Sequence, residues 1–174
     1  KQELLYSETS TTNIDNYNSE VVNEWGKIII TSEKDGWKQL YLLDIKSGKL
    51  SAITNGAYYV NSVLHIDKQT KDILFTASGK EPGRNPYLLH LYRINIDKKQ
   101  PVLLTPENAN HDVSVSPDGK HFADNISTLD LPTRTVLRES ASGKIIKELS
   151  TANIDDLLGM KYRFPEAFTA TGRD

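Results

Sequence analysis

Internal repetition constrains this chain more than any other feature, because a segment that recurs at a fixed period must fold as a unit that packs against copies of itself. Gly26-Lys27-Ile28-Ile29-Ile30-Thr31-Ser32 is echoed by Asp72-Ile73-Leu74-Phe75-Thr76-Ala77-Ser78, a step of 45 residues from Ile30 to Phe75. Leu40-Tyr41-Leu42-Leu43-Asp44 matches Leu91-Tyr92-Arg93-Ile94-Asn95, and Leu50-Ser51-Ala52-Ile53-Thr54 matches Pro101-Val102-Leu103-Leu104-Thr105, both at a step of 51. The longer step comes from one loop, Gly79 to Pro86, which stands where the first copy has only Glu33-Lys34-Asp35-Gly36. A third, more diverged copy follows, with Gly119-Lys120-His121-Phe122-Ala123 and Ser142-Gly143-Lys144-Ile145 reprising Gly26 to Ile30 and Ser47-Gly48-Lys49-Leu50.

Each copy holds four short stretches rich in Ile, Val, Leu, Tyr and Thr, divided by turns such as Asp35-Gly36, Ser47-Gly48 and Pro117-Asp118-Gly119. Four strands at a period near ~45 residues describe a β-propeller blade. Ile28-Ile29-Ile30 and Leu40-Tyr41-Leu42-Leu43 are apolar at consecutive positions, so both strand faces require burial, as between two neighbouring blades. Asp112-Val113-Ser114-Val115-Ser116 alternates instead, as an innermost strand beside a wet channel would. The predicted fold is all-β: a partial propeller of about three four-stranded antiparallel blades plus flanking strands. Its predicted segments are 1–19 (the outer strand of a preceding blade, Glu3-Leu4-Leu5-Tyr6-Ser7, and a linker), blades at 20–57, 58–108 and 110–151, and 152–174. The last begins with a short helix over Asn153 to Gly159, N-capped by Asn153, and leads into a further segment. Complete propellers have about four to eight blades, so three suggest a piece of a larger one.

The remaining chemistry is sparse. Lys plus Arg number 21 against 23 Asp plus Glu, a net charge of −2, and the densest cationic pair is Lys98-Lys99, which argues against nucleic acid or an anionic membrane surface as partner. There is no cysteine, which excludes thiol nucleophiles, disulfides and thiolate metal sites. No apolar run approaches the ~20 residues of a membrane helix, and no cationic-then-apolar leader follows Lys1. His65, His90, His111 and His121 share no His-x-His or His-x-x-x-His spacing, so no metal site and no cofactor is predicted. Asp67 and Asp118 fall in corresponding turns and read as Asx turns; Asp155-Asp156 suits the positive end of a helix rather than paired acid–base work. Tyr58, Tyr59, Tyr87 and Trp37 read as packing at blade edges, with a peptide or carbohydrate surface as the functional alternative. Gly79 to Pro86, with Arg84 at its tip, is the most credible functional loop, against a plain solvated connection. Asn125-Ile126-Ser127 matches a glycosylation acceptor.

The order of these segments resembles the propeller of dipeptidyl-peptidase-IV-like serine peptidases of the prolyl oligopeptidase family. The resemblance is carried by Ser32-Glu33-Lys34-Asp35-Gly36-Trp37-Lys38-Gln39-Leu40-Tyr41-Leu42, Phe75-Thr76-Ala77-Ser78-Gly79-Lys80-Glu81, His90-Leu91-Tyr92-Arg93-Ile94 and Leu104-Thr105-Pro106-Glu107. It continues through Ser116-Pro117-Asp118-Gly119-Lys120, Asp124 to Pro132, and Pro165-Glu166-Ala167-Phe168-Thr169 with Thr171-Gly172-Arg173-Asp174. The resemblance implies a parent that removes dipeptides from peptide N-termini with a Ser-Asp-His triad on an α/β-hydrolase domain, exported or periplasmic, its propeller gating access. This sequence contains neither Gly-x-Ser-x-Gly nor a Glu-Glu pair like the one that clamps the substrate amine in that family. Ser78-Gly79 and Ser142-Gly143 lie in turns. No catalytic, cofactor-binding or metal residue is therefore assigned, substrate-binding residues stay open, and the chain itself is predicted inactive. Its expected partners are the hydrolase domain of the same parent and, through exposed blade faces, further copies of itself. The rival reading is a stand-alone TolB-like or WD-like propeller that binds a protein or glycan; a glycosidase-type propeller ranks last, having only Asp112 as an inner-strand acid.

Overall fold

The computed structural model describes residues 3–11, 13–14, 18–166 and 168–173. Lys1, Ala167 and Asp174, which the sequence reading places in its end segments, lie outside the described residues. Among the described residues twelve strands form three separate sheets, each four-stranded, antiparallel and ordered as in the chain. The first comprises β1 (Ser19–Val22), β2 (Lys27–Ser32), β3 (Gln39–Asp44) and β4 (Leu50–Ala52). The second comprises β5 (Tyr59–Asp67), β6 (Asp72–Ser78), β7 (Leu89–Asn95) and β8 (Val102–Leu103). The third comprises β9 (Asn110–Val115), β10 (His121–Ser127), β11 (Arg134–Glu139) and β12 (Ile145–Thr151). Three sequential four-stranded meanders stacked face to face are blades of a partial propeller, and helix is almost absent among the described residues.

Burial follows the hydrophobic pattern. Ile29 through Ser32 in β2 and Ile73 through Ala77 in β6 are buried at every position, because each of these strands is covered on both faces. Val22, Ile29, Leu40 and Ile53 pack against Val60, Ile73, Phe75 and Tyr92 to join the first two sheets. Leu74, Leu91 and Leu104 meet Phe122, with Val113 and Val115, to join the second to the third. β9 alternates, with Asp112 and Ser114 exposed and His111 buried. The hairpin turns repeat as faithfully as the strands. Asp44 accepts from the amides of Lys46 and Ser47, and Asn95 accepts from those of Asp97 and Lys98. Gly48, Lys99 and Gly143 then close equivalent turns, all at positive φ.

Two expectations about the ends change. Glu3-Leu4-Leu5-Tyr6-Ser7 forms no strand. It lies across the face of the first sheet, walling a groove of about 240 Å³ with Ser19, Val21, Ile28, Ile30 and Leu43, so its amides have no ladder edge to join. Ile30, Tyr41 and Leu43 on that face are buried. At the other end α1 (Asp155–Gly159) begins two residues later than expected, with Ile154 rather than Asn153 at its N-cap position; Asn153 Oδ1 still accepts the Asp155 N–H at 2.7 Å, and Asp155 and Asp156 fall in the first turn.

Candidate functional site

The chemistry-bearing side chains converge at the junction of the second and third sheets. His111 stands on β9, Asp124 on β10 and Arg138 on β11, on one face of the third sheet, while Glu107 comes from the connection between β8 and β9. The register makes the three strand residues diagonal neighbours: Asp124 lies opposite Val113 and Val136, two positions along from His111 and from Arg138. All three are fully buried. The Arg138 guanidinium donates from Nε to Asp124 Oδ2 at 2.8 Å, from Nη1 to the Gly143 carbonyl at 2.9 Å, and from Nη2 to Glu107 Oε1 at 2.7 Å. His111 Nδ1 lies 2.9 and 3.0 Å from the two Asp124 oxygens, and its Nε2 lies 3.2 Å from the Glu107 carbonyl.

His90, on β7, lies beside this cluster with its ring centroid 5.2 Å from that of His111. Its Nδ1 donates to the Thr105 carbonyl at 3.0 Å, and burial pushes its ring below the ordinary histidine range. Burial is the largest single influence on Glu107 and raises it, but the hydrogen bond and charge of Arg138, a backbone hydrogen bond and the proximity of His111 together hold the carboxyl below its ordinary range. Ligating atoms of Glu107, His111 and Asp124 all lie within 4.8 Å of one another, a separation that would admit a cation. The guanidinium already holds both carboxylates at 2.7 and 2.8 Å, so the donor set is built as a salt-bridged clasp between sheets.

The loop from Gly79 to Pro86 belongs to the same junction. Arg84 donates to the Pro106 and Glu107 carbonyls at 2.8 and 3.3 Å, Glu81 accepts from the Tyr92 hydroxyl at 2.8 Å, and Lys80 sits over the Tyr58 and Tyr92 rings. Arg84 is thus an anchor, while Tyr87 just beyond the loop is 88% exposed. Trp37 is 47% exposed and Tyr58 is buried. At the opposite strand ends, a cleft of about 390 Å³ is bordered by His65, Asp67, Asp118, Lys120, His121 and Glu139. Asp67 accepts from the Gln69 and Thr70 amides, and Asp118 from the Lys120 amide and the Ser116 hydroxyl, which holds both carboxyls low. Asn125 lies within β10 and accepts the Thr135 hydroxyl at 2.7 Å, unlike the open loop a glycosylation acceptor needs.

The profile of the family described as Dipeptidyl peptidase IV (DPP IV) N-terminal region matches residues 1–133. The chain belongs to the dipeptidyl peptidase IV N-terminal region family. Dipeptidyl peptidase 4 of Arthroderma otae is 26% identical over 122 residues, which are 69% of this chain and 15% of that protein. Porphyromonas gingivalis dipeptidyl peptidase 4 superposes with a TM-score of 0.64 at 22% identity, over 77% of this chain and 18% of that one. TolB from Acinetobacter baumannii superposes with a TM-score of 0.55 at 17% identity, over 78% and 32%. The chain thus spans less than a fifth of these two dipeptidyl peptidases, and at these identities the two solved structures establish the fold alone. Among the described residues of this dipeptidyl peptidase IV N-terminal region, no helix is long and apolar enough to cross a membrane.

Proposed function

We propose that this chain is a non-catalytic propeller segment of an exported or periplasmic serine-type dipeptidyl peptidase. In the intact enzyme it scaffolds and gates the active site, and the α/β-hydrolase domain of the same protein removes dipeptides from peptide N-termini. The observation that carries the reading is the employment of the chain's reactive groups. Glu107, Asp124 and Arg138 bind one another, Asp67 and Asp118 cap turns, and Arg84 pins a loop. These groups serve architecture. The β2–β3, β6–β7 and β10–β11 loops are equivalent in the three blades and therefore share one rim, where Trp37, Tyr87, Leu129 and Leu131 are 47%, 88%, 76% and 62% exposed. The turns at the other strand ends are short and built on Asp44, Asp67, Asn95 and Asp118. A rim that exposes four large apolar side chains among polar ones, opposite a rim of short polar turns, suits docking of a further domain on one side only.

The likeness to TolB favours one second reading, a binding module with no peptidase attached, which would use the same rim to hold a protein. The gene downstream of the Asp174 codon separates them. About 250 further residues with Gly-x-Ser-x-Gly support the peptidase reading, and a stop codon contradicts it.

A further inference from the structure

His111 is fully buried, and each of its ring nitrogens faces an acceptor that cannot donate in return: Asp124 at Nδ1 and the Glu107 carbonyl at Nε2. A neutral imidazole has one N–H and one lone pair, so a neutral ring would set a lone pair against an oxygen in a dry interior. An imidazolium satisfies both. Charge balance points the same way: Glu107 and Asp124 supply two negative charges and Arg138 one positive, so a protonated His111 brings the cluster to zero. The other groups that face the ring leave it as the carrier. Burial, which outweighs the opposing bond to the Thr105 carbonyl, holds His90 on β7 below the ordinary histidine range, and Arg84 reaches the Glu107 carbonyl from the loop after β6.

We propose that His111 is held as a buried imidazolium, and that this proton locks the third sheet to the second, so that the junction loosens when the ring is deprotonated. Glu107 lies on the connection between the two sheets and His111 on the first strand of the third, so their bond ties the end of one blade to the start of the next. Loss of the proton leaves one negative charge uncompensated among buried groups and turns one of the two bonds into a repulsion. The inference stands whichever domain the propeller serves.

Two measurements on the unaltered chain test it. In 15N-labelled protein at pH 7, with the ring of His111 assigned through bonds from its own backbone amide, both ring nitrogens should show the shifts of protonated imidazolium. One nitrogen with the shift of an unprotonated imidazole overturns the proposal. Raising the pH from 6 to 9 should lower hydrogen-exchange protection of the β9 and β10 amides about tenfold relative to the β2 and β3 amides, after correction for intrinsic exchange. An unchanged ratio overturns the lock.

Discussion

Arg138 shows how much a single side chain can hold here: it is buried, and its guanidinium reaches Asp124, Glu107 and the Gly143 carbonyl at once. Arg138→Leu removes the cation and leaves a buried carboxylate at Asp124. That change should cost about 3–5 kcal/mol, read as a lower urea midpoint. His90 has a pH signature of its own. Its native ring resists protonation while the unfolded chain takes the proton near the ordinary 6.5, so the unfolded state binds more protons below that pH and stability falls on acidification. His90→Gln should therefore flatten the loss of melting temperature between pH 7 and 5.5; an equally steep loss contradicts the assignment. The clasp was not legible as a motif, since Glu107, His111, Asp124 and Arg138 become neighbours only through strand register. A signal existed all the same. His111, Asp124 and Arg138 occupy the buried parity of strands on which Val113, Val115, Phe122, Ile126 and Val136 share that parity.

Strands and turns were far more legible, because period-2 patterning and turn chemistry act over a few residues. The β2, β6 and β10 repeats fold as equivalent second strands, and the long insertion in the second copy is the β6–β7 loop. The sequence could not show that this loop is pinned, since the carbonyls that hold Arg84 lie 22 and 23 residues further on. Arg84→Ala should speed proteolytic nicking between Gly79 and Pro86 while lowering stability by about 1.5–3 kcal/mol, the worth of hydrogen bonds from a charged donor. The turns closed by Gly48, Lys99 and Gly143 make a paired test. Lys99 sits at φ 56, so Lys99→Gly should be tolerated or mildly stabilising. Gly143→Ala would place a Cβ 2.2 Å from the Leu104 carbonyl oxygen, in addition to a positive φ. It should cost more than the ~1–2 kcal/mol of the left-handed conformation alone. Equal thermal shifts in the two variants would contradict this view of the turns.

For the molecule as a whole, the sequence reading expects both end blades to expose faces built for burial. The first is covered by the segment from Glu3 to Tyr6, a contact between residues remote in sequence that no periodicity announces. The third sheet is different: β12 is exposed along its whole length, with Ile145, Ile146 and Leu149 at an open strand edge. Self-association should therefore run through β12. Light scattering should show concentration-dependent growth in mass, and the double variant Ile146→Lys with Leu149→Lys should abolish it; growth unchanged by the lysines would place the contact elsewhere. The central claim is that this dipeptidyl peptidase IV N-terminal region supplies architecture and leaves the proposed chemistry to another domain. Hydrolysis of Xaa-Pro chromogenic dipeptides by the purified chain tests it most directly: the expected rate is indistinguishable from buffer, and robust, enzyme-proportional turnover would contradict the account.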